Sequence, residues 1–234
     1  MTTEIDPKSF RPINIEFLAK GTGESFDIFF RSDSENFVKF ASTDPKHQDK
    51  VLRLLEEGEI EQEFYIREED LFKYYKYATQ SLRNVMDDPN VPLETKTKKV
   101  YEVSKGVMKE FFEYSASSKI LESSGEVMEM MEDCLSTAGA GFAGISKITS
   151  KDYYTHTHSV NVGLYCMTFG TKVGLPKDDV KQLGLGGMLH DVGKSKIDTS
   201  LINKNGKLND EEFEQIKAHS PEGAGMLTGM CCYN

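Results

Sequence analysis

Four of the chain's five histidines fall between positions 156 and 219, at His156, His158, His190 and His219. His190 is followed by Asp191 and then by Val192-Gly193-Lys194. Imidazole nitrogen together with carboxylate oxygen is a donor set for iron, manganese, zinc or a similar divalent ion. On a regular helix adjacent residues lie about 100° apart, so His190 and Asp191 would face different directions. At a helix end, where Gly193 is expected to let the backbone turn, both can converge on one ion or a pair of ions. Lys194, four residues after His190, points to the same side if the helical turn persists. A lysine there can neutralise charge developing on a phosphate oxygen. An isolated His-Asp pair reads as an ordinary helix end with a capping lysine. A further histidine on each flank favours a metal site. Spacing and composition carry the reading as far as a phosphate ester.

The elements that must position these residues are legible as period and punctuation. Ile13, Ile15 and Phe17 alternate with polar residues. The Gly21-Thr22-Gly23 turn, Phe26–Phe30 and Phe37–Phe40 follow. Such runs predict strands in an antiparallel meander. Asp44-Pro45 opens a predicted helix carrying Val51, Leu54 and Leu55, and Glu63–Ile66 reads as a further strand. From Glu69 the period becomes helical. Tyr74, Tyr75, Ala78, Leu82 and Val85 suit one helix, ended by Asp87-Asp88-Pro89-Asn90. Val100 to Phe112 suit a second. Val127, Met130, Met131, Cys134 and Leu135 form the stripe of a third, with the methionines as packing residues. Gly139, Gly141 and Gly144 mark a bend and lack phosphate-loop spacing. A helix with Leu164, Met167, Phe169 and Val173 ends at Gly174 as its cap, before Pro176. His219 is expected at the end of a later helix. Asn205-Gly206 makes a tight turn, and Asn209 with Glu212 forms a capping box.

These elements define an α+β chain in three parts. They are a small strand-rich domain over 1–70, regulatory or dimerising, a helical linker over 71–145, and an all-α domain over 146–234. A homodimer or protein partner is assigned to the first. Apolar residues make up 38% and charged residues 28% of the 234, and the net charge is −10. An acidic chain is a poor partner for polymeric nucleic acid, which wants clustered Lys and Arg. A small phosphate ligand held by metal ions is compatible with it. The four cysteines, Cys134, Cys166, Cys231 and Cys232, show no zinc-type spacing and read as reduced residues. The N-terminus lacks the basic and apolar regions of a signal peptide, and no run approaches a membrane span. The expected address is the cytoplasm.

Leu189-His190-Asp191-Val192-Gly193-Lys194 resembles the defining motif of the HD phosphohydrolases. Its surroundings are similar to the HD-GYP family. Asp152-x-Tyr154-Thr155-x-x-His158-Ser159-x-Asn161-Val162 resembles the family's first metal-ligand helix. Lys196-Ile197 and Leu201-Ile202-x-Lys204-x-Gly206-x-Leu208 resemble the loop after the motif. Glu212, Lys217-x-His219-x-Pro221-x-x-Gly223 and Leu227 resemble the next helix.

The resemblance implies that His158, His190, Asp191 and His219 are metal ligands. It implies that Lys194 contacts phosphate, and that Asp191 and Lys194 do the catalytic work. His156 falls at a variable position and on another helix face, so it stays outside the set. The implied activity is hydrolysis of cyclic di-GMP to pGpG or GMP by a metal-bound hydroxide on two divalent ions, iron, manganese or similar. Two rival readings share these residues: a non-catalytic signalling module, and hydrolysis of another nucleotide. Asp198 and Asn205 stand where the family usually has proline. The family places a histidine pair, a Gly-Tyr-Pro loop and a further carboxylate beyond the last of these helices. None lies within Met230–Asn234, so the expectation is an incomplete module with weak metal binding and impaired hydrolysis.

Overall fold

The computed structural model describes residues 9–18, 25–32, 36–42, 63–113, 117–138 and 155–231. The helix expected after Pro45, the Gly21–Gly23 turn, the glycine cluster at 139–144, and Asp152 and Tyr154 lie outside them. The fold is α+β, and its contacts divide into two compact units, residues 1–89 and 90–234.

In the first unit, β1 (Phe10–Ile13), β2 (Asp27–Arg31), β3 (Phe37–Ser42) and β4 (Phe64–Arg67) form an antiparallel sheet. Its order is β1-β4-β2-β3. The expected antiparallel pairing holds, but the sheet is no meander, because β4 inserts between β1 and β2. The alternation at 13–17 does not continue as a strand either. Ile15–Phe17 is a 3-10 turn, closed by bonds from Phe17 N to Asn14 O and from Leu18 N to Ile15 O. The Tyr74 hydroxyl accepts from Asn14 N at 3.2 Å and donates to Asn14 O at 3.1 Å. It thereby occupies backbone groups that a longer strand would have paired. Ile15 and Leu18, three apart, are both buried. A 17-residue helix, α1 (Leu71–Asp87), follows. Phe26 meets the edges of its Tyr74 and Tyr77 rings.

The second unit is helical. It comprises α2 (Leu93–Glu113), α3 (Ser118–Ala138), α4 (Thr155–Lys172), α5 (Lys177–Leu189), a 3-10 segment at Val192–Lys196, α6 (Thr199–Ile202), α7 (Asp210–Lys217) and α8 (His219–Cys231). The expected stripe of α3, Val127, Met130, Met131, Cys134 and Leu135, is buried throughout. Burial raises the Cys134 thiol pKa, as an apolar setting disfavours thiolate. On α4, Leu164 and Met167 are buried, whereas Phe169 and, just past the helix end, Val173 are exposed. Only the first pair lies on the face turned inward.

The α4–α5 contact depends on small residues. A β-carbon on Gly184 would run into the Met167 side chain, and one on Gly187 would lie 2.9 Å from Cys166 Sγ and 3.1 Å from Gly163 Cα. Glycine lets the two backbones approach, which brings the N-terminal end of α4 beside the C-terminal end of α5. The chain reverses between them through Gly174, whose φ of 79° is the expected αL cap. No described helix is long and apolar enough to cross a membrane.

The loop before α7 is locally determined. Gly206 takes a φ of 111° in the expected turn. Asn209 Oδ1 accepts from Glu212 N at 2.8 Å, and Glu212 Oε2 accepts from Asn209 N at 2.9 Å. Bonds from Lys204 and from Asn209 N hold the Glu212 carboxyl below the ordinary carboxylate range. A depressed folded-state value means that this support is present at neutral pH and lost as pH falls through that value. Asn209→Ala is expected to cost about 1 kcal/mol through loss of the cap, read as a lower midpoint in thermal unfolding.

Candidate metal centre

His190 and Asp191 sit where α5 gives way to the 3-10 segment. His190 keeps helical angles, φ −56° and ψ −30°, while Asp191 has moved to φ −106° and ψ 5°. This change brings adjacent side chains together. His190 Nε2 lies 3.2 Å from Asp191 Oδ2. Lys194 Nζ donates to the same oxygen at 2.6 Å.

Gly193 acts differently from expectation. Its φ lies outside the left-handed region, which among the described residues only Gly174 and Gly206 occupy. What it provides is room. A β-carbon there would overlap the His219 carbonyl and sit 2.5 Å from Gly223 N. The start of α8 therefore rests directly on the 3-10 backbone. His219 begins this helix, where the sequence suggested the end of one. Its Nε2 is 3.4 Å from Asp191 Oδ1.

His158, in the first turn of α4, completes the group. Its ring centre is 5.5 Å from that of His190. The donor atoms of His158, His190 and Asp191 all lie within 4.8 Å of one another. All four residues expected as ligands thus converge, with His219 joined through Asp191. His156 is not in the cluster.

Two further groups escaped the sequence reading. His190 Nδ1 is 2.7 Å from Gly187 O, and His219 Nδ1 is 2.6 Å from Ile216 O. A carbonyl only accepts, so each Nδ1 carries the hydrogen. In the neutral ring this leaves Nε2 as the nitrogen with the free lone pair. The available signal was positional, since both carbonyls belong to the residue three before the histidine.

This geometry tests the site for a cation. His190 Nε2 and His219 Nε2 lie 3.2 and 3.4 Å from the two oxygens of one carboxylate, and a ring without a proton on that nitrogen sets acceptor toward acceptor. Such pairs repel unless positive charge lies between them. Donors that share one ion at about 2.0–2.2 Å stand roughly 3 Å apart. Asp191, 4% exposed at its side chain, is the buried anion that divalent charge would offset. The residues present therefore fit a divalent metal.

Residues 155–231 match the model of the HD domain family. A cyclic di-GMP phosphodiesterase of Pseudomonas aeruginosa is 38% identical over 81 residues, which is 35% of this chain and 20% of that protein. A 3'3'-cGAMP-specific phosphodiesterase of Vibrio cholerae is 33% identical over 75 residues, 32% of this chain and 17% of its own length. A cyclic di-GMP phosphodiesterase of Thermotoga maritima is 32% identical over 78 residues, 33% of this chain and 21% of its own length. The matched segment thus spans about a fifth of each relative. In fold, the chain is similar to an HDG"Y"P protein of Bdellovibrio bacteriovorus, with a TM-score of 0.58 and 17% identity, over 94% of this chain and 72% of the other. Over residues 155–231 the chain is thus similar to the HD domain family, and the relatives named match it there.

Proposed function

We propose that this centre hydrolyses a phosphodiester bond of a cyclic dinucleotide, with cyclic di-GMP as substrate and pGpG or GMP as product. The supporting observation is the convergence of two carbonyl-anchored histidines, His158 and a buried aspartate beside a lysine. In this reading His158, His190, Asp191 and His219 hold the metal. When bound, a divalent ion supplies an acidic water as nucleophile and positive charge for the phosphate oxygens. Gly187 O and Ile216 O keep His190 and His219 in the ligating tautomer. Asp191 holds the Lys194 ammonium at the edge of the centre, where it neutralises charge on a substrate phosphate as phosphorus is attacked. The sheet-bearing N-terminal region has the regulatory or dimerising role.

A second reading, hydrolysis of 3'3'-cGAMP, is supported by the names of the Vibrio relatives. Both are tested by incubating the purified chain with Mn2+ and each dinucleotide and resolving the products by chromatography. Metal-dependent release of the linear dinucleotide at an impaired rate is expected, and His190→Ala is expected to abolish it. Turnover that survives both a chelator and that substitution would refute the metal mechanism. Failure of both dinucleotides to bind the Mn2+-loaded chain would refute the substrate class.

A further inference from the structure

The α4–α5 interface leaves a mechanical question. His158 must keep one rotational setting of α4 to face His190 and Asp191. Helix α4 meets α5 through Gly163, Gly184 and Gly187, on which Met188, Met167 and Cys166 are seated, an apolar contact without the directionality of a hydrogen bond. A directional bond occurs on the side of α4 that meets α2. The Tyr101 hydroxyl donates to Asn161 Oδ1 at 2.7 Å. Tyr101 is 1% exposed, set between the buried Val100, Val103 and Ser104 of α2. Asn161 is three residues beyond His158, so both side chains leave α4 within one turn. Helix α2 also packs against the 3-10 segment that directly follows Asp191. One helix, outside the matched residues 155–231, thus references both ligand-bearing elements.

We propose that Tyr101 is a positioning residue for His158: through Asn161 its hydroxyl sets the rotation of α4 that turns His158 toward His190 and Asp191. The inference rests on the metal-site reading above. With side chains a helix is about 5–6 Å in radius, so a roll of roughly 10° moves the His158 ring by about 1 Å. Ligand distances hold to about ±0.2 Å, so such a roll removes a donor.

The test is Mn2+ affinity by calorimetry on the full chain, well below its thermal midpoint, together with the visible absorption spectrum of the Co2+-loaded protein. Tyr101→Phe is expected to weaken Mn2+ binding about tenfold and to alter the Co2+ spectrum. Asn161→Ala, which removes the same bond from a more exposed position, should do likewise if Tyr101→Phe fails to fold. The double variant should lose no more than the worse single one. In a His158→Ala background neither substitution should weaken binding further. A lower thermal midpoint with unchanged affinity and spectrum would overturn the positioning role and leave the metal reading standing. Additive losses, or equal losses without His158, would also overturn it. A wild-type chain that takes up no Mn2+ would overturn both.

Discussion

Replacing Asp191 with asparagine is expected to remove divalent-metal uptake and leave the fold standing. This carboxylate is the hub of the centre, with one oxygen facing His219 Nε2 and the other facing both His190 Nε2 and Lys194 Nζ. Asparagine has nearly the same volume, so no cavity forms, and its amide oxygen can still accept from Lys194. What disappears is the buried negative charge. The loss in Mn2+ affinity should exceed the roughly 10- to 100-fold typical of residues that only support ligands. The thermal midpoint should fall by only a few degrees, because Lys194 is 27% exposed at its side chain and can turn to water. Calorimetric titration and a melting curve on the same preparation separate the two effects. Mn2+ binding within tenfold of wild type would show that Asp191 is no ligand.

Gly193→Ala is the second large effect, acting through packing. The added methyl group would overlap the His219 carbonyl and crowd Gly223 N. Both are backbone atoms, so no side chain can swing aside. Overpacking typically costs about 1–3 kcal/mol, and a rigid obstacle places this case near 3. For a domain of this size that lowers the midpoint by roughly 6–12 °C. As α8 retreats, His219 moves away from Asp191, so Mn2+ affinity should fall as well. Melting curves and titration on the variant check both parts. An alanine variant with wild-type stability would mean that α8 does not rest on this glycine.

The difference between these two residues shows how far sequence reasoning reached. Asp191 was legible because donor type and adjacency to His190 carry chemistry by themselves. His158 and His219 were found by residue type and by resemblance to a family motif. Helices α2 and α3 followed from their apolar period, and the Gly174 cap, the Gly206 turn and the Asn209–Glu212 capping box from local hydrogen-bonding chemistry. At Gly193 the same method pointed to backbone freedom, and the structure shows a close approach instead. Nothing within five residues of Gly193 reveals that the start of α8 lies against it.

Other misreadings share that cause. The alternation at 13–17 satisfied the strand period, but Tyr74, sixty residues later, engages Asn14 and helps leave a 3-10 turn there. The adjacent strands suggested a meander, but a late strand, β4, takes the centre of the sheet. The sequence by itself determined which donors exist, which segments are helical and where turns close, because neighbouring residues set those energies. Only the tertiary structure decided which oxygen of Asp191 His219 faces, how near His158 comes to His190 and how near α8 comes to Asp191. Those depend on contacts between residues far apart in the chain, whose partners no local pattern identifies.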